Sequence, residues 1–265
     1  MYPQPAHGRP PSEDDLTRMS LLEHLEELRK RLLWSIISLA VAFAPCWIYV
    51  RQIFTFLEQP LQKIRPGEKL VFLGLADPFL LYFKVAALAA LFVAAPLLLY
   101  QLWGFVAPGL YRKEKLYLAP FLLFGSLFFL GGGAFAYYVA FPMAADFLLK
   151  MGEGFEMQLT VERYFSFLMT MILGLGMMFE LPIVILVLSA LGVVTPGFLL
   201  RHFRWAVIII FVVAAIITPT PDIVNLCVFA VPAMALYLLG VAAAYLLSPK
   251  RGREPEAEPT DTPGI

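Results

Sequence analysis

The chain has 265 residues, 60% of them hydrophobic and only 15% charged, against roughly 45–50% and ~25% in an average soluble domain. Its 20 Lys and Arg balance its 20 Asp and Glu, so no global field points to nucleic acid or an acidic substrate. The apolar residues fall in blocks long enough for the ~20 residues a bilayer-crossing helix needs, which predicts an all-α membrane protein.

Residues 1–19 are polar and Pro-rich around "PPSEDD", the composition of a disordered tail. An amphipathic helix is expected to start at Ser20, with Ser20 and Glu23 as a capping box and Leu21, Leu25, Leu28 and Leu32 as one apolar stripe. The first apolar run, Leu32–Val50, continues through Pro45 without a cleavage-site pattern and reads as a retained first span. Val85–Tyr111 is a second span. Leu116–Ala145 is a third, interrupted by "GGG" at 131–133 and by Pro142. Tyr164–Leu200 is a fourth, with Glu180 its one charge.

Trp205–Pro249 is 45 residues with Asp222 its one charge. As a single helix it would be roughly 67 Å long, about twice the bilayer core, and "TPTPD" at 218–222 breaks it. Two short crossings are expected, giving six spans over 20–248 with the last two short enough to thin the bilayer locally. Residues 249–265 read as a basic stop and a disordered tail.

With six spans both termini share a side. That side carries Arg9, Arg18, Arg29, Lys30, Arg31, Arg112, Lys113, Lys115, Arg201, Arg204, Lys250, Arg251 and Arg253. The other carries Arg51, Lys63, Arg65, Lys69, Lys150 and Arg163, with Lys84 snorkelling toward it. The positive-inside rule then places both termini in the cytoplasm.

Enzyme chemistry finds no foothold. The histidines, His7, His24 and His202, lie outside the apolar blocks, so no Ser–His pair forms at membrane depth. "HLEEL" lacks the second histidine of a zinc helix, and Cys46 and Cys227 read as small core residues. No metal or cofactor is expected, and "GGG" reads as close helix packing.

In the charged helix, steps of ~100° place Arg29 inside the leucine stripe, toward the bundle or the headgroups. Glu27 falls on the opposite face, toward the cytoplasm. The simpler role of Glu26 and Glu27 is i,i+4 pairing with Lys30 and Arg31, worth ~0.3–0.5 kcal/mol each.

"HLEELRKRL" at 24–32 also resembles the N-terminal signature of the TatC family, the multi-span receptor subunit of the twin-arginine protein translocase. In order, "EQPL" at 58–61, "DPFLLYFK" at 77–84, "APLLLYQLWGFVAPGLYRKEK" at 95–115, "FAYYVAFPMA" at 135–144, "FELPIVI" at 179–185 and "TPTPDIVNL" at 218–226 are similar to the family's later segments. The resemblance covers roughly 20–248. It implies a bacterial or archaeal cytoplasmic-membrane protein that binds Arg-Arg signal peptides of folded cargo. The implied partners are the single-span proteins TatA and TatB and further copies of the chain, with the proton-motive force as drive. The implied signal-peptide site is Glu27 and Glu114, with Arg29 and Phe105; two carboxylates suit two guanidinium groups, which bond them bidentately. Glu180, Asp222 and Asn225 are the implied intramembrane polar contacts to partners, and Pro60, Pro96 and Tyr138 structural positions. Pro60 and Pro96 could equally be a loop turn and a helix kink, and Phe105 with Trp103 an interfacial aromatic belt. Many relatives carry Gln where this chain has Leu226.

A competing reading is a proton- or ion-coupled transporter with Glu180 as relay. Against it, no polar chain connects Glu180 to Asp222. As a neutral acid facing the interior or a water-filled concavity, Glu180 would donate a hydrogen bond to a partner helix.

Overall fold

The computed structural model describes residues 13–67, 70–106, 118–155, 158–218, 220 and 222–247. These form ten α-helices and one π-helical turn, with a single isolated bridge, Val71 to Thr160, as their extended pairing. By length and composition, five segments suffice to cross a bilayer: His24–Ile48, Asp77–Phe105, Leu122–Met151, Val161–Ala190 and Ile223–Leu246. A shorter apolar helix, Phe203–Ile217, accompanies them.

Helix α1, Glu13–Ile48, is one unbroken helix of 36 residues. It therefore starts before Ser20, which lies inside the helix and does not cap it. The run Glu13, Asp14, Asp15 suits a helix N-terminus, where negative charge is favoured. The charged segment and the first span are one rod, not two elements.

The orientation of α1 reverses the helical-wheel expectation. Leu25, Leu28 and Leu32 are 59%, 43% and 57% exposed, while Glu27, Arg31, Ser35 and Ser38 are half-buried and Ala42 and Cys46 buried. That narrow row lies against α3, Asp77–Val106. The two run antiparallel: His24 stacks on Phe105 at one end, and Phe43 and Trp47 meet Phe83 and Phe79 at the other. In lipid the apolar stripe gains nothing by leaving the hydrocarbon, so small and weakly polar residues take the helix contact. Arg29 is exposed, pointing away from the row that carries Glu27.

After Tyr49 the chain turns into α2, Val50–Ile64, an amphipathic helix. Pro60 is buried inside α2, a helix interior where a loop turn was an option. Pro96 lies inside α3. Helix α4, Leu118–Phe135, runs straight through Gly131–Gly133. A Cβ on Gly132 would come 2.7 Å from the Leu175 carbonyl oxygen, and one on Gly133 2.6 Å from Phe92 Cζ. The glycines thus serve close packing against α6, Val161–Met178, and α3. The irregularity falls later, in the π turn Ala136–Ala140, where the Phe141 N–H reaches back to the Ala136 carbonyl. Pro142, with no N–H for Tyr138, follows at the start of α5, Phe141–Met151.

The fourth span bends at Phe179–Glu180 and resumes as α7, Leu181–Ala190, with Pro182 in its first turn. After α8, Pro196–Arg201, come α9, Phe203–Ile217, and α10, Ile223–Leu247. Only α9 is short, at 15 residues; α10 has 25. The expectation of two short final spans fails because the turn at 218–222 divides the apolar run unevenly. The core runs through α3, α5, α6 and α10, with Phe141, Phe165, Leu168, Met171 and Phe229 wholly enclosed.

Candidate functional site

At the end of the bundle where α1 meets the C-terminal turns of α3, Glu26, Glu27, Lys30, Arg31, Trp34, Tyr100 and Gln101 line an open cleft of about 550 Å³. The α1 members sit there through the helical spacing that stacks 26, 30 and 34 in one row beside 27 and 31. Glu27 Oε1 accepts two hydrogen bonds from Arg31, from Nε at 3.0 Å and Nη2 at 2.7 Å. The i,i+4 pairing expected from the sequence is thus realised, but on the α3-facing side. Arg31 lies across the bare backbone of Gly104, and His24 stacks on Phe105 with ring centres 4.5 Å apart. The structure therefore sets Glu27 beside Arg31 and Gln101 in the cleft, with Gly104 against Arg31 and Phe105 against His24. Arg29 is not among them. Glu114 lies outside the described residues.

Glu180, at the bend between α6 and α7, turns inward toward Gly125 of α4 and Leu99 of α3. Its oxygens are enclosed, and neither has a hydrogen-bond partner among the described residues. Nearby Trp103 is buried against Ile183 and Val187 with its indole N–H likewise unmatched.

At the opposite end, Asp222 and Asn225 build the start of α10. Asp222 Oδ1 accepts from the Asn225 backbone N–H at 2.7 Å, and Asp222 Oδ2 from the Asn225 amide at 2.8 Å. The same amide donates to the Thr220 hydroxyl at 2.8 Å. Partial burial pushes the Asp222 carboxyl up. The Asn225 N–H, the Thr220 hydroxyl, the Asn225 amide and the Val224 N–H outweigh that and hold it below its ordinary value. Asn225 has no exposed surface, and its amide N–H groups tie Asp222 and Thr220 into the turn. Leu226 is half-buried against the core.

Tyr138 is 61% exposed. Its neighbour Tyr137 is the buried one and donates its hydroxyl to the Phe56 carbonyl. Tyr164 does the same to the Leu57 carbonyl at 3.0 Å. Sequence reasoning missed both tyrosines, although Pro60, four residues after Phe56, signals a carbonyl lacking its helical donor. Cys46 and Cys227 are free thiols, and the described residues hold no cluster able to bind a metal ion.

An all-helical, multi-span membrane protein with a carboxylate–guanidinium cleft at one end and an enclosed acid at mid-bundle is the class these features define. Residues 23–232 match the family model of TatC, the Sec-independent protein translocase protein. The TatC protein of Koribacter versatilis is 44% identical, covering 92% of this chain and 91% of its own length. That of Helicobacter pylori strain J99 is 38% identical over 86% and 90%, and that of Aquifex aeolicus 35% over 88% and 98%. A crystal structure described as the twin arginine translocase receptor TatC superposes with a TM-score of 0.73 at 35% identity, covering 84% of this chain and 98% of that one. A second, in the detergent DDM, gives 0.76 at 34%. The chain belongs to the TatC family. It is a multi-pass inner-membrane subunit of the Sec-independent translocase, a transport component rather than a catalyst.

Proposed function

We propose that the chain is the receptor of its translocase and binds Arg-Arg signal peptides of folded cargo on the cytoplasmic face. Glu27 and Glu114 are its two anchoring carboxylates, with both chain termini on that face. The observation that carries the reading is that Glu27, in an open cleft with Tyr100 and Gln101, already binds a guanidinium through two N–H donors. A planar fork matches a carboxylate in a way that a lysine ammonium does not. Glu114 follows Arg112 and Lys113 in the segment between α3, which ends at Val106, and α4. TatA and TatB assemble against the membrane-embedded surface, with Glu180 the polar contact for a partner helix, and the proton-motive force drives transport. Several copies of the chain form the receptor complex. The test is equilibrium binding of a signal peptide with Arg-Arg against its Lys-Lys counterpart. A receptor of this kind prefers Arg-Arg; equal binding of both defeats the reading.

A further inference from the structure

We infer that Arg31 is an internal latch on Glu27, occupying the carboxylate in the unliganded protein with the guanidinium chemistry that a signal peptide would bring. The inference rests on the reading of Glu27 as a peptide-binding carboxylate. Three features carry it. The Arg31 Nε and Nη2, one whole edge of the fork, are both spent on Glu27 Oε1 at 3.0 and 2.7 Å. Both side chains are half-buried in the row facing α3, with 24% and 34% of their surface exposed, so the pair is held in place yet open to the cleft. The guanidinium also occupies the space that a side chain at Gly104 would fill: a Cβ there would lie 2.9 Å from Arg31 Cζ. Gly104 therefore makes room for the latch.

A peptide arginine forms a fork on both Glu27 oxygens only by exchange, because Arg31 already holds Oε1. Binding through a minor open state multiplies the apparent dissociation constant by the inverse of the open fraction. That factor is the same for any competing cation. The latch therefore lowers affinity without setting the preference for Arg over Lys, which comes from fork geometry. It also keeps the carboxylate neutralised between cargo molecules, so exchange makes release as accessible as binding.

The test measures binding of labelled Arg-Arg and Lys-Lys peptides to the full-length protein in nanodiscs, comparing the unmodified chain with Arg31→Gln, Gly104→Ala and Glu27→Ala. An i,i+4 pair of this exposure closes the site by up to about fivefold. Arg31→Gln and Gly104→Ala should each tighten both peptides by up to about that factor and leave the Arg/Lys ratio unchanged. Gly104→Ala keeps the Arg31 charge. It displaces only the far end of a flexible side chain, and alanine favours the helix. It thus separates a latch from the mere loss of a positive charge. Tightening in Arg31→Gln with no change in Gly104→Ala overturns the latch in favour of simple charge repulsion. Weaker binding in either variant overturns it in favour of Arg31 orienting Glu27. Equal binding of both peptides by the unmodified chain, or unaltered binding by Glu27→Ala, defeats the receptor reading itself and the latch with it.

Discussion

The hydroxyl of Tyr137 donates to the carbonyl of Phe56, and Pro60 is the reason that carbonyl is available. In a regular helix the N–H of residue 60 would take it, and proline has none. Tyr137 also stacks on the Phe56 ring, with centres 4.6 Å apart. Tyr164 reaches the next carbonyl, that of Leu57. Two tyrosines from the π turn and α6 thus fasten α2 to the bundle where its own ladder is broken.

Tyr137→Phe should lower stability by about 1 kcal/mol, the typical worth of a net hydrogen bond, or about 2–4 °C in melting temperature. Pro60→Ala restores a helical donor for the same carbonyl. The double variant should therefore lose less than the sum of the two single losses, and thermal unfolding of all four proteins in one detergent reads the coupling directly. Additive losses would show that the Phe56 carbonyl is satisfied in another way.

The glycines of α4 offer a second check on packing. Gly131 has nothing within 4 Å of a built Cβ, whereas Gly132 meets the backbone oxygen of Leu175 at 2.7 Å. Gly131→Ala should be neutral or slightly stabilising. Gly132→Ala forces α4 and α6 apart at a cost of about 1–3 kcal/mol. Equal melting temperatures for the two variants would contradict the close approach.

Much of the fold was legible because bilayer constraints are severe. Apolar block lengths, the "TPTPD" turn and the basic residues between blocks located the helices. The sense of α1 was not legible. A leucine stripe reads as a core face in water, and Leu25, Leu28 and Leu32 turned out to face outward, because hydrocarbon solvates them as well as a protein interior does. The row Glu27, Arg31, Ser35, Ser38, Ala42, Cys46 was present in the sequence as small and polar residues at helical spacing. It would have been found by asking which face lipid rejects. At the cleft, the Glu27–Arg31 pairing was legible from i,i+4 spacing, whereas the contact of Arg31 with Gly104 was not, because it depends on how α1 packs against α3.

Glu27→Ala and Glu114→Ala should each weaken crosslinking to an Arg-Arg peptide while the protein still inserts, since a half-exposed ion pair adds little to the fold. If both engage one peptide, the double variant should lose less than the two single losses multiplied together. Full crosslinking in the double variant would remove both residues from the site.

At Glu180 the two carboxyl oxygens are enclosed near Gly125 without a hydrogen-bond partner among the described residues. Glu180→Gln keeps the size and the donor and should retain most transport. Glu180→Ala removes the acid proposed to meet a partner helix and should impair transport while Arg-Arg peptide still binds. Transport assayed in vesicles separates the two. Equal inactivity of both variants, with assembly intact, would instead make Glu180 a titrating group and favour proton relay.

The turn before α10 should be sensitive to acid. The Asp222 carboxyl is held below its ordinary value by the donors around it, so it binds fewer protons folded than unfolded. Its contribution is fully present above the unfolded value near 3.9 and is lost as pH falls through the lower folded value. Asp222→Ala, which also deletes a helix cap, should cost about 1 kcal/mol at neutral pH. The difference in stability between the two proteins should shrink as pH drops below about 4. A difference independent of pH would show that the cap works without its charge.

Helix α1 carries Glu27 and the buried residues Ala42 and Cys46 on one continuous helix, with Pro45 in its last turn. From Glu27 to Ile48 it spans about 32 Å, packed against α3 along that length. A shift of α1 against α3 at Glu27 therefore has a continuous backbone path to Tyr49, where the chain turns into α2 and to the carbonyls that Tyr137 and Tyr164 hold.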